Sequence, residues 1–340
     1  MTEIVNRRYL LSSRPVGPYT PDLLSLDHKP LPDVAEGEFL VRNEWISLDP
    51  AMRGWMSAGR SYIEPVEVGA VMRAFAAGKV IASRHPDYAI GTQVAGLFGL
   101  QEYALCDGVN ADRTIRNAID GVPLSAMLGI LGLTGLTAYF GLLDIGRPRA
   151  GETIVVSAAA GAVGSAVVQI GKIMGCRVVG IAGGTEKCDF VTSLGADACI
   201  DYKNEDLNAA IKTHCAGGID VFFDNVGGDI LDSVLRRINK GARIVLCGGI
   251  SQYESHNPKG PTNYLSLLAN RARMEGFIYF DFADRFSEAE TALSTWLKRG
   301  WLQHQEHVVE GLDLAPLTLT KLFDGSNMGK LLLRLPADEE

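Results

Sequence analysis

Residues 153–175 read TIVVSAAAGAVGSAVVQIGKIMG. Thr153 to Ser157 is short, uncharged and rich in β-branched residues, the composition of a buried strand. Ala158-Ala159-Ala160-Gly161-Ala162-Val163-Gly164 follows, and Val163, Val167, Ile170 and Ile173 then recur at helical spacing. Strand, small-residue turn, helix is the context that holds a dinucleotide. The pyrophosphate must approach the backbone closely, so side chains in the turn must be tiny. Its charge is met by the unpaired N–H groups and positive dipole end of the helix. The spacing is that of G-x-G-x-x-G with Ala159 in place of the first glycine. A tight turn packed on a sheet, with no ligand, has the same pattern.

The next strand separates two cofactors. Arg177 to Ala182 is again short and apolar. In an NAD site an Asp or Glu ends this strand and holds the ribose 2′-hydroxyl. Here Ala182-Gly183-Gly184 ends it, and Thr185-Glu186-Lys187 follows. Without the acid a 2′-phosphate meets no repulsion, and Lys187 can neutralise it. The pattern favours NADP over NAD. Lys187 read alone is a solvated helix lysine, the commonest fate of that residue.

The same alternation extends outward. Strand-like segments at 198–201, 220–224, 243–247 and 274–279 are separated by helical ones, with a further helix near 287–299. This spacing predicts an α/β unit, a Rossmann-type doubly wound parallel sheet with helices on both faces. Residues before about 120 are β-rich, with strands expected at 38–42, 78–83 and 91–96 between Gly, Pro and Asp turns. Extended pieces return at 307–310 and 330–335. The expected organisation is a β-rich domain over 1–125, a nucleotide domain over 126–295, and a segment over 296–340 that rejoins the first.

Bulk composition narrows the function classes. The chain has 340 residues, 47% hydrophobic and 21% charged, as expected for a packed soluble protein of two domains. A net charge of −8 gives no electrostatic footprint for nucleic acid or an anionic membrane. The N-terminal residues lack a long apolar stretch, so no secretory signal is expected. The segment from Leu124 to Leu143 is the most apolar. Gly129, Gly132, Gly135, Gly141 and two threonines interrupt it, and it is expected to be a buried helix. The six cysteines are scattered, without C-x-x-C or a zinc-spaced Cys/His cluster, which argues for a reducing cytoplasmic setting and against a metal. His304 and His307 are expected at the surface.

Several motifs together resemble the medium-chain dehydrogenase/reductase superfamily. They are Asp49-Pro50-x-Met52-Arg53-Gly54, Ser61-Tyr62, Val68-Gly69-x-Val71-Met72, the turn from Ala158 to Gly164, and Asp201-Tyr202-Lys203. Phe223-Asp224-Asn225-Val226-Gly227-Gly228, Cys247-Gly248-x-Ile250-Ser251-x-Tyr253 and Asn327-Met328-Gly329-Lys330 complete the set. The chain is most similar to the zinc-independent branch of leukotriene 12-hydroxydehydrogenase/prostaglandin reductases, plant double-bond reductases and bacterial curcumin reductase. That resemblance implies a Rossmann domain inserted in a β-rich, GroES-like catalytic domain, and a homodimer. It implies NADPH-dependent reduction of the double bond of an α,β-unsaturated ketone or aldehyde.

Carried over by motif, Gly161, Ala162, Val163 and Gly164 would hold the pyrophosphate, Lys187 the 2′-phosphate, and Tyr202 the adenosine end. Asn225, Cys247, Gly248, Ile250, Ser251, Tyr253, Phe277, Ile278 and Tyr279 would line the nicotinamide side, with Asn327 reaching it from the returning segment. Ala51 and Glu64 depart from the branch's usual residues, both on the substrate side. Hydride addition leaves charge on the carbonyl oxygen, which needs a donor. Tyr253 is the first candidate and Tyr62 the second. Asp49 and Arg53 are expected to form a structural pair, and Asn225 is either near the cofactor or a buried amide serving loop backbone. A zinc-free NADPH quinone reductase is the alternative enzyme, and a nucleotide-binding protein without catalysis the alternative class. An alcohol dehydrogenase lacks the zinc ligands it would need.

Overall fold

The structure, a computed structural model, describes residues 4–59, 61–107, 115–255 and 257–336. The chain forms two compact units, one holding Met1–Leu128 and Glu306–Glu340, the other Gly129–Gln305. The second is therefore an insert in the first. The chain re-enters the first unit at Glu306, later than position 296.

The first unit is β-rich. β1 (Val5–Leu11) and β2 (Leu24–Pro30) form an antiparallel hairpin. β3 (Phe39–Ser47), β4 (Ala76–Ser83), β5 (Gln93–Gly96), β6 (Tyr103–Cys106) and β7 (Arg116–Asn117) build the main sheet, with the short helix α1 (Ala51–Trp55) after β3. Among the described residues this sheet has seven strands, because β14 (Glu306–Glu310) and β15 (Lys330–Arg334) return to it. β15 pairs antiparallel with β3, and α9 (Ala315–Asp324) connects β14 to β15. β3 is longer than its sequence pattern announced, because its second half, Asn43–Ser47, is half polar yet lies between two partners.

The inserted unit opens with α2 (Leu133–Phe140), continued by a π-helical turn over Gly141–Gly146. The apolar run is therefore not one helix: a 3-10 turn over Leu124–Leu128 precedes Gly129 and Gly132, α2 holds Gly135 in its interior, and Gly141 opens the π-helical turn. Then strands alternate with helices: β8 (Thr153–Ser157), α3 (Ala162–Ile173), β9 (Arg177–Ala182), α4 (Thr185–Ser193), β10 (Ala198–Asp201), α5 (Leu207–His214) and β11 (Ile219–Asp224). α6 (Gly228–Leu235), β12 (Ile238–Leu246), α7 (Leu265–Asn270), β13 (Arg273–Gly276) and α8 (Phe286–Lys298) complete it. The six strands run parallel in the order β10-β9-β8-β11-β12-β13. On one face Val155, Ile181 and Phe222 pack with Ile211 and Val234 of the helices. Residues buried on both faces are why β8 and β9 read as continuous apolar runs.

Two strand ends differ from expectation. β12 begins at Ile238, not Arg243, because Ile238 already pairs with Ile219 of β11, and the polar Asn239-Lys240-Gly241 lies in the bulge before Arg243 pairs with Val221. β13 stops at Gly276, not Tyr279. The Asp281 carboxylate accepts the Ile278 N–H at 3.0 Å and turns the chain into a 3-10 segment.

Candidate active site

The turn after β8 is built for close backbone approach. Ala158 adopts a left-handed φ of 48°, and Gly161 N–H donates to its carbonyl at 2.9 Å. α3 begins without a side-chain cap, so its first N–H groups point outward. Gly164 has no room for a Cβ, which would run into the Ala158 carbonyl and lie 2.8 Å from Ala159 Cα. Ala159, standing where a glycine is usual, is fully buried, and its neighbour compensates. A Cβ on Gly180 of β9 would lie 2.9 Å from the Ala159 Cβ, so Gly180 leaves the space that the Ala159 methyl fills.

At the end of β9 the structure places no carboxylate on the tip. The nearby acid, Asp201 at the end of β10, is committed to the loop. It accepts Gly184 N–H at 2.8 Å, Asn204 Nδ2 at 2.7 Å and Lys203 N–H at 3.1 Å. The Gly184 bond, then the Asn204 bond, hold its carboxyl below the usual carboxylate range. Lys187 is half-buried in the first turn of α4. Tyr202 and Lys203 fold over Gly183, where a Cβ would lie 2.9 Å from Lys203 Cε and 3.0 Å from Tyr202 Cε1. Lys203 is a cation whose place in the Asp201-Tyr202-Lys203 motif carries no functional signal by itself. Only the closure of the β10 loop over Gly183 reveals its position.

The carboxyl ends of β11 and β12 bound a cavity of about 550 Å³, lined by Asp224, Gly227, Cys247, Gly248, Phe277 and Ile278 among others. Four of the anticipated residues, Cys247, Gly248, Phe277 and Ile278, thus meet. Burial pushes the Cys247 thiol up to about 12, with the Asp224 charge adding to it. Asp224 is fully buried and collects donors from Ser157 Oγ at 2.8 Å and from the Val226 and Gly227 N–H groups at 3.0 Å. Asn225 donates from Nδ2 to the Ser157 carbonyl and from its backbone N–H to Ser157 Oγ, both at 2.8 Å. Its amide therefore serves loop backbone, and it pins the peptide that precedes the strained Ala158.

Ile250 and Ser251 form the short turn after β12, where Ser251 Oγ donates to the Val226 carbonyl at 2.6 Å. Tyr253 closes that turn, and its hydroxyl oxygen accepts the Gly249 N–H at 3.2 Å. Tyr279 goes elsewhere. It is buried and stacks on Phe286 at 5.5 Å, outside the cavity lining.

In the β-rich unit, the Tyr62 hydroxyl accepts the Trp55 Nε1–H at 2.9 Å, and burial raises its pKa. Asn327 is half-buried beside Gly329, whose φ is 69°. The anticipated Asp49–Arg53 pair is not formed. Asp49 instead takes Lys330 Nζ at 2.7 Å and the Ser47 hydroxyl, all buried, while Arg53 donates to the Gly17 carbonyl at 2.6 Å and Ser57 Oγ at 2.8 Å. Lys330 is 281 residues from Asp49, and no local pattern announces it. His304 and His307 are half-buried rather than at the surface, and the His307 ring lies 3.5 Å from Lys321 Nζ. Among the described residues no group of three or more His, Cys, Asp or Glu side chains could hold a metal.

Two family models match, one described as the N-terminal domain of oxidoreductase over residues 7–113, the other as zinc-binding dehydrogenase over 162–295. The chain is 41% identical to the NADPH-dependent curcumin reductase of Escherichia coli (strain K12), covering 98% of each. It is 40% identical to the NADP(+)-dependent 2-alkenal reductase of Nicotiana tabacum over 87% of this chain and 88% of that protein. The crystal structure of CurA in complex with NADPH from Vibrio vulnificus matches with a TM-score of 0.91 and 44% identity, covering 97% of this chain and 99% of that one.

Proposed function

The chain belongs to the medium-chain dehydrogenase/reductase family, in the branch of the curcumin and 2-alkenal reductases, and from that premise we propose that it reduces the carbon–carbon double bond of α,β-unsaturated ketones and aldehydes with NADPH. The observation that carries the cofactor half is the site at the end of β9. It has no acid at the strand tip, Lys187 in the following turn, and Lys203 folded over Gly183. This fits a 2′-phosphate. The side-chain-poor turn from Ala158 to Gly164 fits a pyrophosphate.

NADPH, when bound, supplies the hydride that goes to the substrate's β-carbon. The protein's own task is to hold the cofactor and to stabilise the oxygen that becomes an enolate. Tyr253 is suited to this. Its hydroxyl oxygen accepts the Gly249 N–H, and a bond accepted at the oxygen makes a phenol a stronger donor toward a developing enolate. Tyr62 is the second donor and is likewise fixed through its oxygen, by Trp55. Asn225 and Asp224 hold the phosphate turn rather than touch the reacting atoms. The chemistry needs no metal, in keeping with the scattered cysteines.

The assay is NADPH oxidation against 2-alkenals, cyclic enones, bulky diarylheptanoids and quinones, with product mass confirming addition of two hydrogens. Turnover of quinones alone would replace this reading with a quinone reductase. NADPH binding without turnover of any enone would leave a binding protein. The cytoplasm is the proposed compartment. Among the described residues no helix is long and apolar enough to cross a membrane. A homodimer is proposed through the sheet edge at β13.

A further inference from the structure

We propose that Arg73, held over Trp55 beside Tyr62, recognises an anionic group on the substrate, so that enones bearing a carboxylate are preferred to their neutral esters. The proposal rests on the enone-reductase reading and adds to it a substrate class. Trp55 ends α1 and is 3% exposed. Its indole N–H goes to the Tyr62 hydroxyl at 2.9 Å, and the Arg73 guanidinium carbon lies 5.7 Å from its ring centroid. The three side chains form one cluster within the β-rich unit. Its loop, around Glu64, is one of the two places where the chain departs from the residues usual in the branch it resembles.

The cluster is rich in donors and poor in acceptors. Arg73 Nη1 donates to the Glu64 carbonyl at 2.9 Å. That uses one of five guanidinium N–H groups. Among the described residues no carboxylate lies within ion-pair distance of Arg73. Arg8, Arg243 and Arg285, by contrast, each meet an acid. Tyr62 accepts from Trp55 and therefore keeps its own hydrogen for an outside acceptor.

A half-buried cation that has lost water without gaining an anion is costly. Burial lowers the pKa of Arg73, although the group stays cationic at any ordinary pH. Such an arrangement is stable enough to keep, and useful, where an anion arrives from solution. The planar fork suits a carboxylate, and the indole beneath keeps the guanidinium in one orientation. The competing role is purely structural, with Arg73 bracing the Glu64 carbonyl.

The test compares a 4-oxo-2-alkenoic acid with its methyl ester, using Arg73→Met and Arg73→Lys. The parent should favour the acid. Arg73→Met should raise KM for the acid about ten- to a hundredfold, the worth of a charge-assisted hydrogen bond, and change kcat and the ester's constants less than about twofold. Arg73→Lys should recover part of the loss. Quenching of tryptophan fluorescence by the saturated 4-oxoalkanoic acid, against its ester, gives the same comparison without turnover. Equal losses for acid and ester would assign Arg73 to bracing the loop and overturn the proposal. So would a parent that does not distinguish them. Turnover of the ester would then still uphold the reductase reading. If neither compound is reduced or quenches fluorescence, both ideas fail together.

Discussion

Lys187 follows the glycines that end β9 and Lys203 folds over them, yet only one was legible in the sequence. Lys187 follows a strand whose missing acid is a pattern in one dimension. Lys203 becomes relevant because Asp201 accepts the N–H groups of Gly184 and Lys203 and so draws the β10 loop over Gly183. Lys187→Ala and Lys203→Ala should each weaken NADPH and leave NADH nearly unchanged. One charge-assisted contact is worth about 1.5–3 kcal/mol, roughly ten- to a hundredfold in Kd. Calorimetric titration with both cofactors checks this, and equal weakening of NADPH and NADH would remove either lysine from the phosphate site. Tyr253→Phe should lower kcat on an enone by about a hundredfold while NADPH affinity holds, because a bond to the enolate strengthens only as charge develops. Tyr62→Phe is the companion measurement. If it alone slows turnover, the reaction stands and the donor is Tyr62.

At the scale of elements, the central strands were legible and the margins less so. β8 and β9 lie where both faces are covered, so composition alone bounds them. The start of β12 was hidden by Asn239-Lys240-Gly241, a polar bulge between the paired Ile238 and Arg243. The departure at Ala159 also belongs here, since a turn on one strand is matched by a glycine on the next. Gly180→Ala would set a methyl 2.9 Å from the Ala159 Cβ and 2.5 Å from Val191 Cγ1. Overpacking of this kind costs about 1–3 kcal/mol. The expected outcome is a lower Tm together with weaker NADPH binding, partly restored by adding Ala159→Gly. The same drop in Tm with unaltered NADPH affinity would show that the turn does not depend on Gly180. The edge at β13 raises a different question. Just before it in the chain, Leu265 and Leu268 of α7 are 60% and 76% exposed, an apolar pair left in water. Leu268→Glu should convert a dimer to a monomer in light scattering at micromolar concentration. A parent that is already monomeric would dispose of the proposed homodimer.

For the whole molecule, the chain leaves the β-rich unit at Leu128 and returns at Glu306, and the return must be secured. Backbone pairing of β15 with β3 supplies part of this. The rest is a buried ion pair, with Lys330 Nζ donating to Asp49 Oδ1 at 2.7 Å and to the Leu48 carbonyl at 3.2 Å. Both side chains are only 5% exposed. Each motif was legible singly, as Asp-Pro-x-Met-Arg and Asn-Met-Gly-Lys, but their partnership was not. Spacing along the chain carries no information about which distant segments share a sheet. Burial of the pair predicts an asymmetry. Lys330→Met leaves the Asp49 carboxylate buried against only the Ser47 hydroxyl, and breaking a buried pair from one side costs about 3–5 kcal/mol. Replacing both partners with apolar residues of similar size, as in Asp49→Leu with Lys330→Met, is often close to neutral, because no charge is then left without water. Denaturant unfolding of the two single variants and the double variant measures the coupling. The double variant should be clearly more stable than Lys330→Met alone. If the two losses simply add, the pair is not what fastens the returning strand, and the backbone ladder between β15 and β3 carries that role by itself.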